Sequence, residues 1–352
     1  MKKVLVLLIV LLMISTAFAE ITINGDARVR PRLDQKFDED GKTSQDLYYM
    51  YWARLWVTAK LTEGYYFQTK LATDGPANFI GLMGGGLYGQ VDGWTTNAAA
   101  HSPNRGVVRF AEAHFGRKTD KYGYSMGVLP MSGLGNPEYD LHFYPTSKSD
   151  LPYTILNAAS AAGFRGFYKI GESKLNVTLT VDQNTGNREV KDTPRDPYSI
   201  FASYDMKLGE TKVSPTLIYT TQDKDLPSPL TVGANVGLPK LAGFALSAGG
   251  YYTTQPVEDA TKYSGPMVHL KAVKPIGPGT FVSWVDWKTI DVDGADDPIA
   301  TTLLWVMYKY TVYKSEVGTF YLAPTFRRIM QNYGDMEYAR NKIELTMHIA
   351  FK

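Results

Sequence analysis

From Ile21 onward the chain repeats one pattern: segments of roughly ten residues in which apolar and polar side chains alternate, joined by connections that are short and long in turn. The last segment shows it most plainly. Ile343, Leu345, Met347, Ile349 and Phe351 fall on one side, while Lys342, Glu344, Thr346 and His348 fall on the other. A helix would scatter those five apolar side chains around its circumference, whereas a strand puts them all on one face. The short connections are 62–64, 118–121, 171–173, 209–211, 239–243, 276–279 and 313–316. Between them come polar and mostly longer stretches at 34–46, 74–105, 131–160, 184–197, 222–229, 255–264, 292–298 and 330–340. A soluble sandwich has no reason to sort its loops by parity. An up-and-down barrel does, because its tight hairpin turns gather at one end and its loops at the other.

The alternation marks sixteen strands, at 21–33, 47–61, 65–73, 106–117, 122–130, 161–170, 174–183, 198–208, 212–221, 230–238, 243–254, 265–275, 280–291, 299–312, 317–329 and 341–351. Fourteen or eighteen strands also fit, since 74–105 and 131–160 have room for a hairpin. An even number of strands, each with one apolar face, predicts an all-β fold, a transmembrane antiparallel up-and-down β-barrel. In the second strand Tyr49, Tyr51, Ala53, Leu55, Val57, Ala59 and Leu61 then meet lipid, while Tyr48, Trp52, Arg54, Trp56, Thr58 and Lys60 point inward. The sorting follows because a charge on the lipid side at bilayer depth costs about 2–4 kcal/mol. The fourth strand, around Arg109, Phe110 and Glu112, alternates poorly and predicts a bulge.

The same rule gathers basic side chains inside. Arg28, Arg30 and Arg32 lie opposite Ala27, Val29, Pro31 and Leu33 on the first strand. Neighbouring strands add Arg54 and Lys60 on one side and Lys342 across the closing seam, with Lys70, Arg327 and Lys309 further round. Rings of basic groups bias a pore toward anions. Trp52, Trp56, Tyr66, Trp284 and Trp305 read as inward-facing too, either as a stacking surface for sugars or as packing beneath loops.

At the start of the chain Lys2 and Lys3 precede an apolar run from Val4 to Ile14, followed by Ala17-Phe18-Ala19. This is the pattern of a secretory signal peptide over 1–19, with Glu20 the first mature residue. The run is too short to span a bilayer comfortably. There is no cysteine, so neither a lipidated N-terminus nor a disulfide framework is indicated. Removing the two leader lysines leaves basic and acidic side chains equal in number, which argues against a nucleic-acid partner. Tyr, Trp and Phe make up 13% of the chain, yet mean hydropathy is slightly negative. That combination suits a wall with one lipid face and one wet face.

The closing strand, ending in Phe351, resembles that of Gram-negative outer-membrane barrels, whose terminal aromatic is read by the barrel-assembly machinery; here Lys352 follows it. The strand and loop layout resembles the sixteen-strand general porins over essentially all of 20–352. The resemblance implies one barrel domain over 20–352 in the outer membrane and a water-filled channel for small hydrophilic solutes and ions, with no covalent step and no cofactor. It also implies homotrimers. The third long connection, 131–160, would fold inward as a constriction loop, its Glu138, Asp140 and Asp150 facing the arginine wall. The alternatives are a sugar-selective channel, a structural or adhesive barrel plugged by its loops, and a barrel enzyme using His114 with Glu112.

Other motifs fall away on context. Gly123-Tyr124-Ser125-Met126-Gly127 fits the nucleophile elbow G-x-S-x-G, but that elbow needs a helix directly after it, and Pro130, Gly133, Gly135 and Pro137 preclude one. Gly84 to Gly89 fits G-x-G-x-x-G without a βαβ unit. Asp291, Asp293 and Asp296 offer hard oxygen ligands for Ca²⁺ in an outside loop, without the spacing of an EF-hand. The five histidines show no zinc spacing.

Overall fold

The computed structural model describes residues 20–37, 43–73, 81–82, 108–130, 160–181, 198–221, 228–255, 262–334 and 336–352. The leader and residues 131–159, with Glu138, Asp140 and Asp150, lie outside them, as does 84–89.

Sixteen antiparallel strands form one closed ring. They are β1 Glu20–Phe37, β2 Thr43–Lys60, β3 Tyr65–Ala72, β4 Arg109–Lys118, β5 Tyr122–Pro130, β6 Ser160–Ile170, β7 Ser173–Val181 and β8 Tyr198–Leu208, then β9 Thr211–Thr221, β10 Leu230–Gly237, β11 Ala245–Gln255, β12 Tyr263–Ile276, β13 Gly279–Val292, β14 Ile299–Lys314, β15 Gly318–Tyr333 and β16 Met336–Phe351. A two-residue piece, Gly81–Leu82, continues the column of β3 beside β2, with Gly81 opposite Tyr51 and Leu82 opposite Met50. Each strand pairs with its sequence neighbours, and β1 pairs with both β2 and β16. Pairing β1 with β16 leaves neither terminal strand as a free sheet edge, which is what hydrocarbon requires.

The seam is where the ends of the barrel wall meet. Phe351 lies opposite Gly25 on one side and Gly318 on the other. A Cβ on Gly25 would come within 2.6 Å of the Phe351 ring, so the glycine makes room for the ring. Lys352 has a place after all: its backbone N–H donates to the Val317 carbonyl at 3.0 Å and adds one more rung.

Exposure follows the alternation. On β16 the apolar set is exposed, Ile343 at 48% and Leu345 at 41%, while Lys342 at 2%, Glu344 at 3% and Thr346 at 4% are buried. In a closed barrel the buried polar face is the inner one. The apolar face is the membrane-contacting wall, and Tyr49, Tyr219 and Tyr310 lie exposed on it near strand ends. The expected bulge is present: Lys70 is opposite Glu112 and Leu71 opposite Phe110, leaving Ala111 as the extra residue. The seven short connections all fall between consecutive strands as the sequence indicates. Gly171 (φ 61°) and Gly209 (φ 64°) take the left-handed conformation that turns the chain between β6 and β7 and between β8 and β9.

Two expectations are corrected. The connection at 330–340 is largely strand, because β15 runs to Tyr333 and β16 starts at Met336, opposite it. The one at 34–46 is likewise shortened, with Phe37 opposite Thr43. Polarity misled in both places. Asp34 and Arg340 are inner-face residues that pair with each other across the seam, so polar residues continue these strands rather than ending them.

Candidate functional site

The inner face from β13 round to β4 carries the basic and aromatic side chains singled out in the sequence. Strand register places them in order: Trp284 opposite Trp305, Trp305 opposite Arg327, Arg327 opposite Lys342, Arg28 opposite Trp52, and Trp56 opposite Lys70. The inward calculus of charge on strands far apart in sequence thus becomes one continuous wall.

The arginines of that wall hold carboxylates. Glu344 accepts from Arg32, lies 2.9 Å from Arg327 Nη2 and 3.6 Å from Arg30 Nη1. Arg30 Nε also donates to Thr346 Oγ1 at 2.8 Å. Arg32 continues the chain through the Tyr48 hydroxyl at 3.1 Å, which donates to Asp34 Oδ2 at 3.0 Å. Asp34 in turn receives Arg340 Nε at 2.7 Å. A second group centres on Asp26, which takes Arg54 Nε at 2.7 Å and lies 3.0 Å from His348 Nε2. Lys70 faces Glu112 at 3.6 Å.

Indoles fill the gaps between these cations. Arg28 and Arg54 sit over Trp52 at 3.8 and 3.9 Å from the ring centre, and Arg327 over Trp305 at 3.4 Å. Arg54 and Lys70 lie 5.0 and 5.7 Å from Trp56. Trp305 stacks on Trp284 at 4.2 Å, with Lys271 at 5.3 Å beyond it. Each such cation–ring contact contributes about 0.5–2 kcal/mol depending on how dry it is. Together they hold guanidinium groups in fixed positions on a wall that would otherwise repel itself.

Not every singled-out residue joins the wall. Lys60 pairs with Glu20 at the short-turn rim, both largely exposed. Lys309, by contrast, reaches the wall through Tyr321, 4.0 Å from it, whose ring meets that of His348 edge-on at 4.6 Å. Tyr66 stands apart, its hydroxyl 2.7 Å from Ser125 Oγ. Ser125 is thus an inner-face residue within β5 rather than at a nucleophile elbow. Asp291, Asp293 and Asp296 are not gathered into a metal-holding group; among the described residues there is none.

Alternation along the strands marks the cations, but most of their partners are not evident from it. Asp26, Asp34, Arg340 and His348 complete the network, and Asp286, hydrogen-bonded to His269, forms a separate buried pair on β13 and β12. A buried apolar group, Tyr251, Met267, Leu303 and Ile329, also lies on the inner face. Asp26 and Asp34 were findable, since they share the parity of the three arginines on β1. The apolar group was not, because its residues look like lipid-facing ones.

Comparison with solved structures places this architecture among outer-membrane channels. The outer membrane channel DcaP of Acinetobacter baumannii superposes with a TM-score of 0.58 at 14% identity, covering 95% of this chain and 98% of that one. An anion-selective porin from Comamonas acidovorans gives 0.56 at 12% identity, covering 95% and 100%. OmpT, an outer membrane protein of Vibrio cholerae in its trimer form, gives 0.54 at 10% identity, covering 94% and 99%. No family model and no curated protein sequence matches the chain. The fold is legible in three dimensions where it is not in sequence similarity: the chain folds as a closed sixteen-strand antiparallel barrel, the fold of the Gram-negative outer-membrane porins.

Proposed function

We propose that the chain is an outer-membrane porin, a water-filled channel through which small hydrophilic solutes and ions diffuse passively. The observation that carries this reading is a closed sixteen-strand barrel with an apolar outside and an inner face lined by Arg28, Arg30, Arg32, Arg54, Lys70, Arg327 and Lys342. Charged side chains on the inner face are stable only where water or counter-charge meets them, and selectivity in such a channel comes from lining charge and width. In this reading the 1–19 leader directs export, 20–352 is the barrel domain, and 131–160 narrows it with Glu138, Asp140 and Asp150. Among the described residues the inner face is richer in bases than in the carboxylates Asp26, Asp34, Glu112, Asp205, Asp286 and Glu344, which favours anions, the preference named for the Comamonas porin. Homotrimers are the assembly we infer, in keeping with the trimer form of the Vibrio protein.

The sugar-selective alternative has weaker support. An indole that stacks on a sugar needs an open face, and Trp52 and Trp284 are 8% and 7% exposed, with cations or a second indole over their rings. Swelling of liposomes carrying the refolded protein, with sugars of graded size, tests the proposal. Swelling that falls off smoothly with solute size supports a diffusion channel, and no swelling with any sugar contradicts it.

A further inference from the structure

Two successive short turns carry the same hexapeptide pattern, Lys169-Ile170-Gly171-Glu172-Ser173-Lys174 and Lys207-Leu208-Gly209-Glu210-Thr211-Lys212. The first joins β6 to β7 and the second β8 to β9, so the two hairpins are neighbours on the barrel rim. In each, the flanking lysines are direct cross-strand partners: Lys169 opposite Lys174, and Lys207 opposite Lys212. Parity puts all four on the inner side. Lys169 and Lys174 share the face of Arg165 and of Thr178 (1% exposed), while Lys207 and Lys212 share that of Phe201 and Ile218 (1% and 2%). The outward positions are apolar and exposed, Ile170 at 52% and Leu208 at 62%.

Like charges directly opposed across an antiparallel pair weaken it, so the fold gains nothing from this arrangement, yet it occurs twice. Among the described residues it is only partly offset: Lys174 Nζ lies 4.9 Å from the Phe167 ring centre, and Asp205 is its cross-strand neighbour on β8. Among the described residues none of the four lysines is in an ion pair. Asp205, which register sets beside Lys174, is held instead by Asn176 Nδ2 at 2.8 Å. Each turn carries two lysines against one glutamate. The contrast with the arginine wall is the point: Arg30, Arg32 and Arg327 share Glu344, and Arg54 and Arg340 have Asp26 and Asp34.

We infer that Lys169, Lys174, Lys207 and Lys212 form an anion-collecting site at the short-turn mouth of the barrel, which in this topology opens to the periplasm. Its ligands are small inorganic and organic anions, phosphate-like groups among them, held loosely by paired ammonium groups in water. The inference rests on the channel reading for its consequence: the mouth adds its own share of anion preference to that of the arginine wall, whose charge is partly offset by Glu344, Asp26 and Asp34. A charged rim raises the local concentration of its counter-ion, and salt removes that effect within a Debye length of about 10 Å at 0.1 M.

The test uses the refolded full barrel and a variant carrying K169Q, K174Q, K207Q and K212Q, both checked for heat-modifiable gel migration. Reversal potentials across planar bilayers should show the anion-to-cation permeability ratio falling about twofold in the variant at 0.1 M salt, with the difference vanishing at about 1 M. An unchanged ratio at low salt, with channels open in both proteins, overturns the site. A readout without current separates it from the channel reading: pyrophosphate ³¹P lines should broaden with the native barrel and sharpen with the variant. Equal broadening by both proteins overturns the site as well. Lysine-dependent broadening with no openings in either protein would uphold the site and refute the channel.

Discussion

Glu344→Gln removes one charge and almost no volume, and it tests whether the arginine wall is a dry structural network or a wetted surface. Glu344 is buried, its side chain 0% exposed, and the three arginine side chains around it are 10%, 8% and 3% exposed for Arg30, Arg32 and Arg327. With the carboxylate gone, three cations keep their places on β1 and β15 without their common counter-charge. Breaking a buried ion pair by removing one partner costs about 3–5 kcal/mol, mostly from the charge left behind. Exposed pairs contribute about 0–1 kcal/mol. The barrel contains its own exposed comparison in Lys60 with Glu20, at 3.1 Å and 52% and 64% exposed. Urea unfolding in lipid vesicles, followed by tryptophan fluorescence, should show Glu344→Gln losing about 3–5 kcal/mol and Glu20→Gln less than about 1. If Glu344→Gln loses no more than Glu20→Gln, the network is solvated and the reasoning fails.

Leu345→Arg places a charge on the exposed outer face of β16 and should cost about 2–4 kcal/mol in the same unfolding assay if that position lies near the bilayer midplane. A loss under about 1 kcal/mol would place it at the interface instead. Gly25→Ala puts a methyl against the Phe351 ring at 2.6 Å and the Arg54 carbonyl at 2.7 Å, so the seam must shift. Overpacking of this kind costs about 1–3 kcal/mol. Adding Phe351→Ala should recover part of the Gly25→Ala loss, and strictly additive losses would show that the ring is not what the methyl meets. N-terminal sequencing of the exported protein should read from Glu20, the first residue of β1; a retained leader would contradict that assignment.

How much of this was legible follows from which forces act locally. Residues 343 to 351 announce themselves because the bilayer demands an apolar residue at every second position, and the short turns do so because a tight hairpin needs residues such as Gly171 and Gly209. The tops of β1, β15 and β16 were hidden because Asp34 and Arg340 look like loop residues until each is seen to hold the other, 306 positions away. That pairing depends on how the ring closes, which no local pattern encodes. Leu303 and Ile329 mislead in the opposite sense, since an apolar side chain on the inner face has the same chemistry as one facing lipid. For the wall, parity sorts the cations onto one face of their strands. What it lacks is the pairing that turns them from a bare basic surface into a partly compensated one.

The most direct measurement of the central claim is current through single refolded barrels in a planar lipid bilayer. Protein that migrates as a heat-modifiable barrel should give discrete, long-lived openings. Protein that migrates as a folded barrel and inserts, yet passes no current at any voltage or salt, would contradict it.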